Sequence, residues 1–306
     1  MPRFRRSFLL PLLALVFMAP SRAGAQGAAA YVTIDNATGH VLAGSAPDKK
    51  LQIGSLTKIA TAMVVLDWKE AKGQDLNQMA TVSAAAEAIP VLGGAINFHA
   101  GDQVSLLDLL YAALLQSDNR AAQTLAEHVG RSFGEADSVV AFVKQMNALG
   151  RKVGMKNTRF LNPHGLDDTE RSAPFSTAAD LAELTRYAMD RPAFRFYVSQ
   201  KERKISVGGQ PYVLRNTNEL LGVEKIDGVK TGTTRKAGQC IIVSAARPPE
   251  SRQEGEKFII TPRRITVVVL GAAERFGTAR ALLASGWQRY DEWAAAGRPS
   301  GAPKKK

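Results

Sequence analysis

Ile53-Gly54-Ser55-Leu56-Thr57-Lys58 leads straight into Ile59 to Lys72, a segment apolar on most sides as far as Asp67 and stopped by Gly73. The pattern predicts a helix, and a helix apolar nearly all round has to be buried. Its first turn therefore carries polar groups into a core. Ser55 and Lys58 stand three residues apart, most of one turn, so they share a face. The serine hydroxyl lies near a helix N-terminus, where backbone N–H groups point outward. Burial disfavours a charged ammonium, so Lys58 is expected to lose its proton readily. A neutral Lys58 could then take the proton of Ser55 and make it a nucleophile. The pattern is weak by itself, because Ser-x-x-Lys arises about once by chance in a chain of this size.

Outward from this helix, strands are predicted at both ends of the chain and helices between them. Tyr31 to Ile34 and His40 to Ala43 read as strands joined by the turn residues Asp35-Asn36-Ala37-Thr38-Gly39. Leu106 to Leu115, Ala121 to Val129, Val139 to Leu149 and Ala178 to Met189 read as helices, the last capped by Ser176 or Thr177 and followed by Pro192. Arg203 to Val207 and Tyr212 to Arg215 predict a hairpin across Gly208-Gly209. Cys240 to Ala246 and Ile265 to Leu270 predict core strands. Between them Arg247 to Arg264 is charged and carries Pro248, Pro249 and Pro262, which predicts an exposed loop in its middle. Phe276 to Trp293 predicts a closing helix. The economical arrangement is an α+β fold, one antiparallel sheet made from both chain ends with a helical insert beside it.

Two further motifs carry chemistry. Ser117-Asp118-Asn119 falls between two predicted helices, where polar groups can project into a cleft. The plainer reading is a cap for the helix that follows. Lys230-Thr231-Gly232-Thr233 could offer a carboxylate a positive charge, hydroxyls and an open backbone. Its plainer reading is a glycine-containing turn between strands.

The three motifs occur once each, in this order, on helix, loop and strand, a set shared by penicillin-binding proteins and class A β-lactamases. In this the chain resembles the serine D-Ala-D-Ala carboxypeptidases, the low-molecular-mass penicillin-binding proteins. Ile53 to Lys58, Pro163-His164-Gly165-Leu166-Asp167 and Asp227 to Gly232 add to the resemblance, which spans about Tyr31 to Trp293. It implies a β-lactamase/transpeptidase-like fold, with helices on the faces of the central sheet and an all-helical subdomain. It implies that Ser55 attacks the carbonyl between two terminal D-alanines, with Lys58 as its base. Ser117 would pass a proton to the leaving D-Ala, and Asn119 would hold the acyl side chain or Lys58. Lys230, Thr231 and Thr233 would hold the terminal carboxylate on the strand opened by Gly232, and backbone N–H groups of Ser55 and Thr233 would form the oxyanion hole. The implied partners are peptidoglycan stem peptides, with β-lactam antibiotics as inhibitors and no metal or other cofactor.

Some residues depart from that pattern. The carboxypeptidases usually carry Gly where this chain has Asp118. D,D-endopeptidases resemble it at Asn119-Arg120-Ala121-Ala122 and Arg215-Asn216-Thr217-Asn218. A class A β-lactamase needs a glutamate to activate water, and Thr158 stands at the matching position. A non-catalytic wall-binding protein predicts a broken motif, and none is broken. No Gly-x-Ser-x-Gly elbow or His-Glu-x-x-His is present. His164 is expected to shape a loop near the cleft.

Composition sets the remaining bounds. The 306 residues are 45% hydrophobic and 22% charged, which suits a globular domain, here expected over 26–293. Arg3, Arg5 and Arg6, an apolar run from Phe8 to Ala19 and Ala23-Gly24-Ala25 predict a secretory signal over 1–25 and a place in the periplasm or cell envelope. The net charge is +12, or +8 once Arg3, Arg5, Arg6 and Arg22 leave with the signal. That excess fits attraction to anionic envelope polymers or headgroups and equally a well-solvated basic surface, whereas no nucleic-acid motif is present. The basic tail, 294–306, offers peripheral membrane contact through Lys304-Lys305-Lys306. Cys240 is a single thiol in an apolar strand, so a buried, inert group is expected.

Overall fold

The first and last strands of the chain are hydrogen-bonded neighbours. This computed structural model describes residues 27–91, 96–167 and 174–299. The predicted signal segment and residues 300–306 of the basic tail lie outside the described residues. The main sheet contains β1 (Ala28–Asp35), β2 (Val41–Ser45), β3 (Ile226–Thr234), β4 (Gly238–Glu254) and β5 (Lys257–Ala272). The strand order is β2-β1-β5-β4-β3, antiparallel throughout. Ala28 lies opposite Ala272 and Asp35 opposite Ile265, so the two ends of the chain close one sheet.

Alternation along these strands splits the core in two, because successive side chains leave opposite faces. Ile241, Val243 and Ala245 with Ile265, Val267 and Val269 pack under the closing helix, against Leu282, Leu283 and Trp287. Cys240, Ile242, Val268 and Leu270 face the helical insert. The helices longer than one turn are α1 (Lys58–Lys72), α2 (Leu106–Tyr111), α3 (Asn119–Gly130), α4 (Ser138–Lys152), α5 (Ala178–Met189), α6 (Pro192–Val198) and α7 (Arg275–Ala295). Helix α1 is buried from Lys58 to Leu66, as its composition requires, and Gly73 ends it in the left-handed conformation at φ 61°. Thr177 caps α5 by accepting from the Asp180 N–H, and Pro192 opens α6 at a first-turn position where no N–H is needed.

Two expectations need correction. The middle of Arg247 to Arg264 is exposed, as expected, but is a hairpin and not a loop: β4 runs through to Glu254, β5 starts at Lys257, and only Gly255 and Glu256 form the turn. Proline is tolerated in a ladder at bulges, and that is where all three lie. Arg247 pairs with Arg263 and Glu250 with Thr261, so Pro248, Pro249 and Pro262 share one irregularity. The predicted helix Leu106 to Leu115 is α-helical only to Tyr111. It then widens into a π-helical turn, Ala112–Gln116, which ends at Ser117 in the left-handed conformation. Such turns gather at functional sites.

Candidate active site

Ser55 lies on a 3₁₀ turn, Gly54–Thr57, that feeds directly into α1. The tighter turn keeps Ser55 and Lys58 on one side, since residues i and i+3 eclipse in this geometry. Lys58 is fully buried and its Nζ meets three oxygens. These are Ser55 Oγ at 2.9 Å, Asn119 Oδ1 at 2.7 Å and the His164 carbonyl at 2.8 Å. The Asn119 amide is oriented by its other end, where Nδ2 donates to the Pro90 carbonyl at 3.2 Å.

The donor inventory then decides which proton sits where. Asn119 Oδ1 and the His164 carbonyl can only accept, so each takes an N–H from Lys58. Ser55 Oγ is the one neighbour able to donate. A neutral amine has two N–H bonds and one lone pair, so that lone pair faces the Ser55 hydroxyl. Burial pulls the Lys58 pKa down to about 7, partly opposed by the charge of Asp118. Neutral Lys58 is thus readily populated near neutral pH.

The second motif reaches the lysine through its third residue. Asp118 caps α3, accepting from the Ala121 N–H at 2.8 Å through Oδ1, so the plainer reading of this motif also holds. Its other oxygen is buried without a partner, and burial raises its pKa. Ser117 is half-buried, with φ 64° and ψ 29°. A non-glycine residue held there costs about 1 kcal/mol, a strain that collects at functional positions.

The third motif is the strand β3, laid edge-on against the serine turn. The approach is so close that a Cβ on Gly232 would lie 2.8 Å from the Ile53 carbonyl oxygen, and one on Gly54 3.3 Å from the Thr233 nitrogen. Lys230 is fully buried, and burial, Lys58 and Arg275 push its pKa well below that of a free lysine. Its Nζ donates to the Thr231 carbonyl at 3.1 Å. The Thr231 hydroxyl bonds the Thr217 hydroxyl at 2.6 Å, and Thr217 N–H donates to the Leu115 carbonyl at 2.9 Å. Thr217 therefore bridges the third motif to the helical end that carries the second. Arg275, at the start of α7, donates to Thr233 Oγ1 at 2.7 Å and to the Gly232 carbonyl at 3.3 Å. Arg275 belongs to no motif, and its chemistry emerges only when α7 packs on β3.

The Pro163-His164-Gly165 loop completes the site from behind. Thr61 donates to the Pro163 carbonyl at 2.6 Å, and Asn162 Oδ1 accepts from Gly165 N–H at 2.6 Å. His164 Nδ1 accepts from Leu166 N–H at 3.2 Å, and burial lowers the ring's pKa to about 3, which keeps it neutral. His164 serves the site through its backbone carbonyl on Lys58. Gly165 has φ 86°, and a Cβ there would fall 2.0 Å from the Gly54 oxygen. Thr158 donates to Asp180 Oδ2 at 2.7 Å and bonds Ser176 Oγ at 2.6 Å, a structural junction between this loop and α5. Among the described residues, no group of His, Cys, Asp and Glu is placed to hold a metal ion. Cys240 is buried with its pKa raised to about 11, mainly by burial.

A serine whose hydroxyl meets a buried amine among the described residues, on a helical turn beside an antiparallel sheet, defines a serine enzyme with a lysine as its base. The chain belongs to the D-alanyl-D-alanine carboxypeptidase family, whose model matches residues 18–252. It is 36% identical over 275 residues to the D-alanyl-D-alanine carboxypeptidase DacC of Escherichia coli, which covers 86% of this chain and 62% of that protein. It is equally 36% identical, over 220 residues, to a D-alanyl-D-alanine endopeptidase of Pseudomonas aeruginosa, covering 70% of this chain and 65% of that one. The chain thus spans less than two thirds of either relative. Its fold matches a penicillin-binding protein of Listeria monocytogenes in the cefotaxime-bound form, with TM-score 0.70 and 27% identity over 85% of this chain and 97% of that one. The antiparallel sheet built from both chain ends is the transpeptidase-like fold.

Proposed function

We propose that the protein removes the terminal D-Ala from peptidoglycan stem pentapeptides through an acyl-enzyme at Ser55. The observation that carries this reading is the trio of oxygens around Lys58 Nζ, which leaves its lone pair for the serine proton. In the first step Ser55 Oγ attacks the carbonyl of the penultimate D-Ala while Lys58 takes the hydroxyl proton. The developing oxyanion lies between the N–H groups of Ser55 and Thr233, the two backbone segments that Gly54 and Gly232 allow to approach. Ser117 passes the proton to the departing amine, the C–N bond breaks, and D-Ala leaves. Water then attacks the ester, Lys58 takes its proton and returns it to the departing Ser55 Oγ, and the shortened peptide leaves as a free acid.

The substrate's terminal carboxylate fits the β3 end of the site. Lys230 regains a counter-charge there, and Arg275 adds a second cation. Thr233 Oγ1 already accepts from Arg275, which leaves its own proton for the carboxylate. A β-lactam carries a similarly placed acyl group and carboxylate, so benzylpenicillin acylates Ser55. Residues 1–25 support a place for the enzyme in the periplasm or cell envelope.

Cleavage of cross-links, the endopeptidase reading, is supported by Asn119-Arg120-Ala121-Ala122 and Arg215-Asn216-Thr217-Asn218 and by the similarity to an endopeptidase. Mass spectrometry of muropeptides before and after treatment separates the two. Loss of one D-Ala from pentapeptide monomers supports the carboxypeptidase. Cleaved dimers with intact pentapeptides would replace it with the endopeptidase.

A further inference from the structure

Two consecutive side chains of α3 hold two consecutive backbone carbonyls. Asn119 Nδ2 donates to the Pro90 carbonyl at 3.2 Å, and Arg120 Nε donates to the Ile89 carbonyl at 3.1 Å. Ile89 and Pro90 follow a single-turn helix, Ala84–Glu87, and lie outside any helix or strand. Among the described residues no backbone N–H bonds either carbonyl, so these two side chains are what fixes them. The same guanidinium reaches a second stretch. Arg120 Nη1 donates to the Phe98 carbonyl at 2.7 Å and to Asn97 Oδ1 at 3.2 Å. Phe98 is fully buried in the core, so Arg120 ties Ile89-Pro90 to a fixed point.

Local chemistry gives no reason for an arginine here. Arg120 is the second residue of α3, and a cation in the first turn opposes the positive end of the helix dipole. The cap is already supplied by Asp118, through the Ala121 N–H. Asp118 and Glu87 feel the charge of Arg120, yet its three hydrogen bonds all go to neutral oxygens. A planar fork with donors fixed in direction suits that task, and a lysine's single nitrogen does not.

The held carbonyls matter because of the other end of Asn119. A carbonyl only accepts, so Pro90 demands the Nδ2 end of the amide and leaves Oδ1 for Lys58 Nζ at 2.7 Å. Turned round, the amide would present its N–H groups to Lys58 and occupy the lone pair that the Ser55 hydroxyl needs. We propose that Arg120 is a positioning residue for the acylation step: by fixing Ile89 and Pro90 it fixes which end of the Asn119 amide meets Lys58. The links run from Phe98 through Arg120, Ile89-Pro90 and Asn119 to Lys58 and Ser55, each a hydrogen bond or a peptide bond. This rests on Ser55 being acylated with Lys58 as its base, and not on which peptide bond is opened.

The test is a four-member cycle: wild type, Arg120→Ala, Asn119→Asp and the two together. Acylation of Ser55 by a fluorescent penicillin is measured at pH 10, as a limiting rate and a non-covalent affinity. At that pH much of Lys58 is neutral even beside a carboxylate. Asn119→Asp accepts with either oxygen and donates nothing to Pro90, so it leaves Arg120 no orientation to set. Arg120→Ala alone should lower the limiting rate about tenfold, what one lost buried hydrogen bond is worth, and change the affinity less than about twofold. In the Asn119→Asp background the same change should cost less than about threefold, because the two residues act in series. Arg120→Lys keeps the charge and the stem without the fork, so it should reproduce the loss, and it carries the cycle if the alanine variant melts below the assay temperature. Wild-type rates in both Arg120 variants, a full loss that persists beside Asn119→Asp, or a loss confined to the affinity would each overturn the proposal and leave the acyl-serine standing. A wild type that penicillin does not label would overturn the acyl-serine reading itself, and this one with it.

Discussion

Changing Asn119 to aspartate tests the central chemical claim, because it adds a charge without moving the lysine. In the wild type, burial lowers Lys58 from 10.5 to about 7. At about 1.36 kcal/mol per unit, that depression is worth roughly 5 kcal/mol of preference for the neutral amine. A carboxylate in place of Asn119 Oδ1 would sit about 2.7 Å from Nζ. At an effective dielectric of about 20 its attraction has an upper bound near 6 kcal/mol, enough to return the lysine to about 10. At pH 7.5 the neutral fraction would then fall from about three quarters to a few tenths of a per cent, a loss of about 200-fold. The assay is the second-order rate of Ser55 acylation by a fluorescent penicillin across pH 5 to 11. The wild type, with its base form needed, should lose rate tenfold per unit below about 7 and be flat above. Asn119→Asp should keep climbing to about pH 10 and recover most of the rate there. A loss equal at every pH, or an unmoved acid limb, would refute the assignment of Lys58 as the base.

Three further outcomes follow from the same geometry. Gly165→Ala combines a φ of 86° with a Cβ 2.0 Å from the Gly54 oxygen, so it should lower stability by about 2 kcal/mol or more and slow acylation; thermal melting and penicillin labelling read both. Arg275→Gln should raise KM for carboxylate-ended peptides about tenfold or more, with a smaller effect on acylation by an uncharged thioester; steady-state kinetics on the pair separate the two. Cys240, buried with a pKa near 11, should resist thiol reagents at pH 8 in the native protein and react once it is unfolded, as counted by mass spectrometry.

Much of the architecture is legible without coordinates. The apolar run after Lys58 demands burial, Gly73 demands a stop, and Thr177 and Pro192 bracket the helix Ala178–Met189, whereas the helix that Pro192 itself opens is not among the predicted ones. Local chemistry sets each of these, so local sequence shows them. The extension of β4 and β5 is the counter-example. Three prolines within Arg247 to Arg264 read as an exposed loop, yet pairing places all of them at one bulge, and no count of prolines reveals that register. The widened turn before Ser117 is hidden in the same way, since Leu106 to Leu115 carries an ordinary helical pattern.

The site divides along the same line. The sequence by itself determined the reactive pair, because Ser55 and Lys58 are three residues apart on one turn and any helix there brings them together. It also determined the family, through three motifs in order. Only the tertiary structure decided the protonation logic. Asn119 and the His164 carbonyl lie 61 and 106 residues from Lys58, and their shared role as pure acceptors is what turns the lysine's lone pair toward the serine. Arg275 and Thr217 join β3 only through the packing of α7 and the closure of the Arg215 to Asn218 segment on Leu115. The physical reason is that hydrogen-bonding capacity belongs to each residue, whereas which capacity stays free depends on every neighbour the fold supplies.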